Sequence, residues 1–518
     1  MTDSPAANRL KLLAIIAWFY TSLMCLMLHF SNVYLVDYDS YFHVRYSSLL
    51  PGRIFSRTFP TTEYSVWGTT WGDKEFLLHL FLMPFVKVES FIVEGAKLAG
   101  ATLNMMFLAS LAFAMKRQKI RAAAFWPAVM FAISGHWLIR FGSVRGQLLS
   151  LVYLPWIILF FQQRRAKPLA VVTFLFTWSY TASYFAFVLV LFLALGRWLI
   201  GIAGRDAGGK AEDGACDCKL IAWCFAATLT GMLIHPNTPN LQLTNWIHIR
   251  HVLAGAWGLQ SEGIGLGGEF NSGLLRESLT DCTGMYIALG AAWLISAAGR
   301  YRVQPRTLLL LWMTMPLFGL FALSYRFVEY IAPMSLWALA AVLSDQWDGW
   351  RTENPHRKPV AGLIAATAVV LIVCQIQAIR VASRVILDKT WSLNQQGSGK
   401  WLRENAAPGT LVIPLAWGQF PQLFFHAPAL HYPVGLDPML MHVIHPDESR
   451  LLDDMLFRRR PYSLEDIHAA FPTARYFVVC NSQSNAFRYL DNLPYVPVYQ
   501  DADNRVYDLQ PPAGPPAP

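Results

Sequence analysis

Two carboxylates stand two residues apart in Asp37-Tyr38-Asp39-Ser40-Tyr41-Phe42-His43-Val44-Arg45, directly after the first long apolar run of the chain. A carboxylate at a membrane surface is partly desolvated, which raises its basicity and suits it to general-base work. Carboxylates at this spacing can instead share a divalent cation such as Mg or Mn. The plain alternative is that the charges only stop a helix at the interface. A second candidate is Ser324-Tyr325-Arg326-Phe327-Val328-Glu329-Tyr330-Ile331-Ala332-Pro333, where Arg326 lies between two apolar segments. A guanidinium there can bind a phosphate bidentately, or simply snorkel to the surface. A third is a long loop holding Gly268-Glu269-Phe270 and Arg276-Glu277-Ser278. Either glutamate could reach back toward Asp37 and Asp39, against the ordinary reading of solvated loop carboxylates.

The elements that must position these groups are membrane helices. The 518 residues are 54% hydrophobic and 14% charged, whereas soluble chains carry about 25% charge. Apolar runs of near 20 residues match a bilayer core. The chain therefore reads as a polytopic α-helical membrane protein with about eleven spans. They are expected at 12–35, 92–115, 122–138, 147–162, 168–183, 185–203, 219–234, 284–299, 306–324, 327–345 and 359–380. The short stretch 76–88 is expected to lie along the interface. With the N-terminus cytoplasmic, the basic loops at 116–121, 164–167, 300–306 and 351–358 all fall inside, as the positive-inside rule demands. The break between 179 and 184 is critical, because merging those two helices would reverse every later loop. The net charge of +9 then reflects these loops and not a nucleic-acid partner.

This topology puts the first outer loop (36–91), the stretch 139–146, the long outer loop (235–283), Arg326 and the tail on the outer side of a plasma or inner membrane. Residues 1–380 read as the membrane domain. Residues 381–518 read as a small extracytoplasmic α/β domain, with strand-like runs at 411–414, 476–480, 495–499 and 505–509 and helices near 448–458 and 463–470. The seven cysteines are scattered and give no disulfide framework. Cys216/Cys218 and His442/His445 are each a single pair, too little for a zinc site.

Asp39-Ser40-Tyr41-Phe42-His43-Val44-Arg45 resembles the first-loop motif of the oligosaccharyltransferase catalytic subunits, which have Pro where Ser40 stands. Arg326-Phe327-x-x-Tyr330-x-x-Pro333 is similar to that family's late helix. The order of parts also matches, which implies a GT-C membrane glycosyltransferase. Such enzymes transfer a sugar from a polyprenyl-phosphate or -diphosphate carrier at the outer membrane face, with inversion. The resemblance implies Asp39, with Asp37, as the catalytic acid pair, Asp39 acting as base or metal ligand. It implies Arg326 on the donor phosphate, where Arg145 and His43 are further candidates, and Glu269 or Glu277 as the long-loop glutamate.

Two departures give the expectation a direction. The family's second outer loop carries a carboxylate pair, but here Gly142-Ser143-Val144-Arg145-Gly146-Gln147 has no acid. Its Trp-Trp-Asp-Tyr-Gly acceptor motif is reduced to Ala416-Trp417-Gly418-Gln419-Phe420-Pro421. An amide nitrogen is a poor nucleophile, whereas a hydroxyl needs only one placed base. The expected acceptor is thus a hydroxyl on a glycan, lipid or protein, with Trp417, Gln419 and Asp437 on its side of the site. Arg145 is expected to stand in for metal charge, so the enzyme need not use Mg or Mn. The rival readings are a lipid or solute transporter or flippase, and a non-catalytic envelope-assembly subunit. Charges gathered at the outer surface, no evident repeat, and a sizeable outer domain favour the enzyme.

Overall fold

Apolar segments close their backbone hydrogen bonds within themselves, so they form helices. The computed structural model describes residues 5–206, 214–253, 270–274, 276–353, 361–387, 395–457, 459, 462–480, 490 and 495–510. The protein is a helical membrane protein with a small sheet near its C-terminus. Among the described residues, six helices are long and apolar enough to cross a membrane. A seventh arises if the bent pair Gly135–Phe141 and Gly146–Gln162 forms one span. Two shorter apolar helices, Ala166–Thr177 and Thr283–Ala298, join them.

Helix α1 (Pro5–Phe30) turns Ile15 and Phe19 outward, 65% and 71% exposed. Large apolar surfaces left bare in this way suit a lipid environment. By contrast, the late helix that begins at Val328 keeps Val328, Tyr330, Ile331, Ala332 and Trp337 buried. The chain between them supplies α2 (Tyr38–Leu49), α3 (Phe76–Leu82), α4 (Ile92–Arg117), α5 (Gly135–Phe141), α6 (Gly146–Gln162), α7 (Ala166–Thr177), α8 (Phe185–Asp206), α9 (Gly214–Leu233) and α10 (Asn240–Ile247). After the long loop come α11 (Arg276–Asp281), α12 (Thr283–Ala298), α13 (Pro305–Leu323), α14 (Val328–Glu353) and α15 (Ala361–Ile386).

Three sequence expectations need correction. The segment 122–138 is not one helix. It breaks into Trp126–Val129, a tight turn at Met130–Ala132, and α5. Ser134 caps α5 by accepting from the Trp137 N–H at 3.0 Å, which starts a new helix in place of continuing the old one. The helix in the stretch 76–88 is shorter than the stretch: it ends at Leu82, with Leu78 and Leu82 fully buried in the main core. The helix expected over 168–183 stops at Thr177, and the chain is broken until Phe185. That break is the one on which the expected sidedness of every later loop turns.

The C-terminal part forms a four-stranded sheet of order β1-β2-β4-β3, from β1 (Leu411–Pro414), β2 (Ala474–Cys480), β3 (Tyr499–Gln500) and β4 (Asn504–Asp508). β1 runs parallel to β2, and β4 is antiparallel to both β2 and β3. Helix α16 (Phe420–His426) joins this part to α2. Phe42, Phe59, Trp67, Trp71, Phe420 and Phe424 form one buried aromatic cluster across that seam. Arg45 locks it: Nε donates to the Phe425 carbonyl at 2.8 Å, and the two terminal nitrogens grip Glu89 at 2.8 and 2.7 Å. The backbone of 61–64 also pairs with Tyr432 and Pro433.

Gly435 is where this seam has no spare room. A Cβ there would lie 2.3 Å from the Trp67 ring, itself buried against Phe42. Overpacking of this kind costs ~1–3 kcal/mol. Gly435→Val should therefore lower the thermal midpoint of the detergent-solubilised protein by several degrees, while Gly418→Val, at a position open to space, should not. Equal midpoints for the two variants would show that the seam is not tightly packed.

Candidate active site

The site begins at the sharp angle between α5 and α6, which meet at 107°. The turn between them delivers Arg145 beside the start of α2. Its guanidinium lies 2.8 Å from an Asp39 oxygen and 3.6 Å from an Asp37 oxygen. Ser40 braces this contact by donating to Asp37 at 3.0 Å and accepting from the Val144 N–H at 2.9 Å. A proline at position 40 could make neither bond. The departure from the oligosaccharyltransferase motif at Ser40 thus belongs with the acid-free turn that Ser40 holds. The N-terminal end of α2 also favours negative charge at Asp37 and Asp39.

Beneath these acids lies a buried chain of polar side chains. The Asp73 carboxylate meets His79 Nδ1 at 2.8 Å, His79 Nε2 meets His43 Nδ1 at 2.9 Å, and His43 Nε2 faces Glu75 Oε2 at 3.4 Å. Glu75 also accepts from the Thr181 hydroxyl at 2.6 Å and the Gly146 N–H at 3.0 Å. Burial raises the Glu75 carboxyl, but His43, Thr181 and His79 outweigh it and hold it at about 2. Burial pushes the His43 imidazole down to about 4, with Glu75 pulling the other way. Position 146 must be glycine, because a Cβ would lie 2.6 Å from the Glu75 carboxyl carbon.

Further cations complete the rim. Burial lowers the Lys74 ammonium, opposed by Asp437 and Glu75. Burial likewise raises the Asp437 carboxyl, opposed by Lys74. Arg326 packs over the Tyr180 and Phe270 rings, 5.6 and 6.0 Å from their centroids. Arg140 is tied to Glu329, its Nε 2.7 Å from the carboxylate. Asp37, Asp39, His43, Lys74, Arg145 and Arg326 all line one cavity of about 360 Å³. A second, largely apolar cavity of about 410 Å³, lined by Tyr184, Phe185, Val188, Phe192, Leu320 and Phe327, shares Arg326, Thr181, His248 and Phe270 with the first. The chemistry on offer is a carboxylate base, cations for a phosphate, and an adjoining greasy groove.

Asp37, Asp39, His43, Arg145, Arg326 and Trp417 thus meet at one cavity, although the chain separates them widely. Gln419 does not line it. Its side-chain oxygen accepts from the Ala416 N–H at 3.0 Å, so it closes its own turn. Glu277 is exposed on α11, which packs Ser278 inward against its neighbours and leaves the glutamate outside the cavity. Glu269 lies outside the described residues. Asp73, Lys74, Glu75, His79 and Arg140 were not singled out from the sequence. The run Trp71-Gly72-Asp73-Lys74-Glu75, three charges inside an aromatic stretch, was the available signal. Mg or Mn would draw on the same two acids that Arg145 contacts. Asp37 and Asp39 are the carboxylates that could hold one, and Arg145 already engages one oxygen of each. Among the described residues no three His, Cys, Asp or Glu side chains are grouped to hold a metal ion.

No family profile matches the sequence, and no curated protein matches it. Solved structures do match in fold. The archaeal oligosaccharyltransferase AglB from Archaeoglobus fulgidus, in complex with an inhibitory peptide and a dolichol-phosphate, aligns with a TM-score of 0.63 at 14% identity, over 92% of this chain and 70% of that one. ArnT from Cupriavidus metallidurans, bound to undecaprenyl phosphate, aligns at 0.57 and 13% identity, over 99% of this chain and 100% of that one. The arabinofuranosyltransferase AftD from Mycobacteria aligns at 0.51 and 15% identity, over 97% of this chain and 40% of that one. The chain has the GT-C fold that these membrane proteins share.

The Arg140–Glu329 pair is nearly completely buried, at 9% and 1% side-chain exposure. Removing one partner of such a pair costs ~3–5 kcal/mol, whereas replacing both by apolar residues is often neutral. Glu329→Ala should lower the thermal midpoint strongly, and Arg140→Met with Glu329→Met should restore much of it. A double variant as unstable as the single one would mean that Arg140 is needed for more than charge balance.

Proposed function

We propose that this protein is a glycosyltransferase that moves a sugar from a polyprenyl-phosphate-type carrier to a hydroxyl acceptor at the outer face of a plasma or inner membrane. The observation that carries the reading is the convergence of Asp39, Lys74 and Arg326 on one cavity that adjoins an apolar groove. The fold supports it, since solved proteins of this fold hold dolichol-phosphate and undecaprenyl phosphate. On this reading the carrier's isoprenoid chain lies in the apolar groove, and its phosphate sits where Arg326 borders both cavities. The N-terminus is cytoplasmic, and the C-terminal sheet faces the outer side.

The reaction is a single displacement with inversion. The acceptor hydroxyl oxygen attacks the anomeric carbon while its proton passes to Asp39. The bond from that carbon to the phosphate oxygen breaks, and its electron pair leaves with the phosphate. Arg326 and Lys74 stabilise the charge that grows there, as fixed cations do in other transfer sites. Arg145 holds Asp37 and Asp39 in place. Trp417 and Asp437 lie on the acceptor side, brought in by the C-terminal part.

General-base removal costs ~10²–10⁴-fold in rate. Asp39→Asn should lose that much transfer from a radiolabelled polyprenyl-linked sugar, with expression unchanged. Near wild-type turnover would remove Asp39 from the mechanism, and carrier transport without transfer would replace the enzyme by a flippase. Arg326→Ala should both raise the KM for the lipid donor and lower kcat, because the guanidinium holds the phosphate in the ground state and stabilises the charge that grows on it in the transition state. Treatment with a chelator should leave activity intact, since Arg145 supplies the charge beside the two acids. Activity lost in chelator and regained with manganese would sink the metal-independent form of this reading.

A further inference from the structure

A polyprenyl carrier must place its head group where the apolar groove opens into the polar cavity. Among the described residues, Arg326 is the only Lys or Arg that lines both. Two further polar side chains line both, and each is already turned to an acid of the polar cavity. The Thr181 hydroxyl donates to Glu75 at 2.6 Å, and His248 Nδ1 lies 4.0 Å from Asp437. Lys74 feels the charges of Asp437, Glu75, Arg326 and Asp39. Arg326 and Lys74 therefore converge on one slot, and three carboxylates stand about it on the side of the polar cavity. Against the pull of burial, His43, Thr181 and His79 hold Glu75 at about 2, so it is ionised. The other two cations that line the cavity are engaged as well, Arg145 by Asp37 and Asp39 and Arg140 by Glu329.

This pattern separates two classes of donor. In a monophosphate-linked sugar, the sugar follows the phosphate directly. In a diphosphate-linked sugar, a second phosphoryl group stands between the first phosphate and the sugar, and it adds negative charge. An ionised carboxylate only accepts hydrogen bonds, as phosphate oxygens do, so a second phosphate pushed past the slot meets groups of its own charge and its own bonding sense. Sugar hydroxyls donate, and the same carboxylates suit them. We propose that the donor is a sugar joined to its carrier through a single phosphate, which Arg326 and Lys74 hold together, and that the acids around this slot, Asp437 among them, exclude a second phosphate. Asp437 is then a specificity determinant that the C-terminal part contributes to donor choice.

This inference rests on the lipid-linked donor proposed above, and the test separates the two. Undecaprenyl phosphate and undecaprenyl diphosphate share one tail and differ by one phosphoryl group. Binding of each to the full chain in detergent is measured by calorimetry at neutral pH, in chelator and again with magnesium or manganese. The monophosphate should bind ~10-fold tighter or more in each condition, because like charges set side by side are strongly penalised. Asp437→Asn keeps an oxygen to accept from the Met439 N–H, now at 3.0 Å, and removes a carboxylate. It should narrow the ratio by strengthening diphosphate binding. A wild-type ratio below tenfold, or one that inverts when metal is added, overturns the single-phosphate inference and leaves the lipid-linked donor standing. An unchanged ratio in folded Asp437→Asn overturns exclusion by that acid. Should this variant not purify folded, the wild-type ratio decides alone. Binding of neither lipid overturns the donor reading, and this inference with it.

Discussion

Charge in a half-buried cavity must be compensated within a few ångströms, and the Arg145 contact with Asp37 and Asp39 is where the structure meets that demand first. Two carboxylates directly after an apolar helix would otherwise repel each other in a poorly screened place, and one would take up a proton. A guanidinium cannot be deprotonated in a protein, so it remains a fixed positive charge between the two acids. The remaining features of the site follow from satisfying the other buried charges. Lys74 offsets Asp437, Arg140 offsets Glu329, and hydrogen bonds satisfy the other two, Asp73 through His79 and Glu75 through Thr181 and Gly146.

Meeting that demand dictates the helix arrangement around the cavity. Arg145 reaches α2 only because α5 and α6 meet at a steep angle, and that angle needs the capped start at Ser134 and the tight approach at Gly146. Glu75 is held by Thr181, which lies in the break between α7 and α8. The break therefore serves two ends: it keeps two apolar segments from fusing, and it supplies a hydroxyl to the floor of the cavity. Arg45, which belongs to the same motif as Asp39, does not enter the cavity. It fixes the C-terminal part onto α2 and so brings Trp417 and Asp437 to the rim.

The helical membrane architecture and the C-terminal sheet were legible because both rest on local pattern. Long apolar runs and short alternating runs declare themselves without partners. Asp39 and Arg326 were legible because a charge between apolar segments is conspicuous. The floor of the cavity was not, for a physical reason. Asp73, Glu75 and His79 look like ordinary loop and helix-end residues, and their role arises only from neighbours at His43, Thr181 and Gly146. The helix in 76–88 is shorter than its apolar run because Pro84 follows directly after its end at Leu82 and Met83 and cannot continue it. Gln419 was misread because a polar side chain near a Trp can satisfy its own turn as easily as a ligand.

Ser40 and Arg145 are best understood together. An acid-free turn would leave Asp37 and Asp39 without a counter-charge unless that turn brought a cation of its own, and Arg145 is that cation. Its placement depends on the Val144 backbone, which Ser40 holds through a hydroxyl that a proline lacks. Neither substitution makes sense alone: Arg145 without Ser40 loses its support, and Ser40 without Arg145 would steady an empty turn. A guanidinium anchored in this way is a fixed charge, already in position before substrate arrives. On the proposed reading, that preorganisation is what lets one carboxylate serve as base for a hydroxyl.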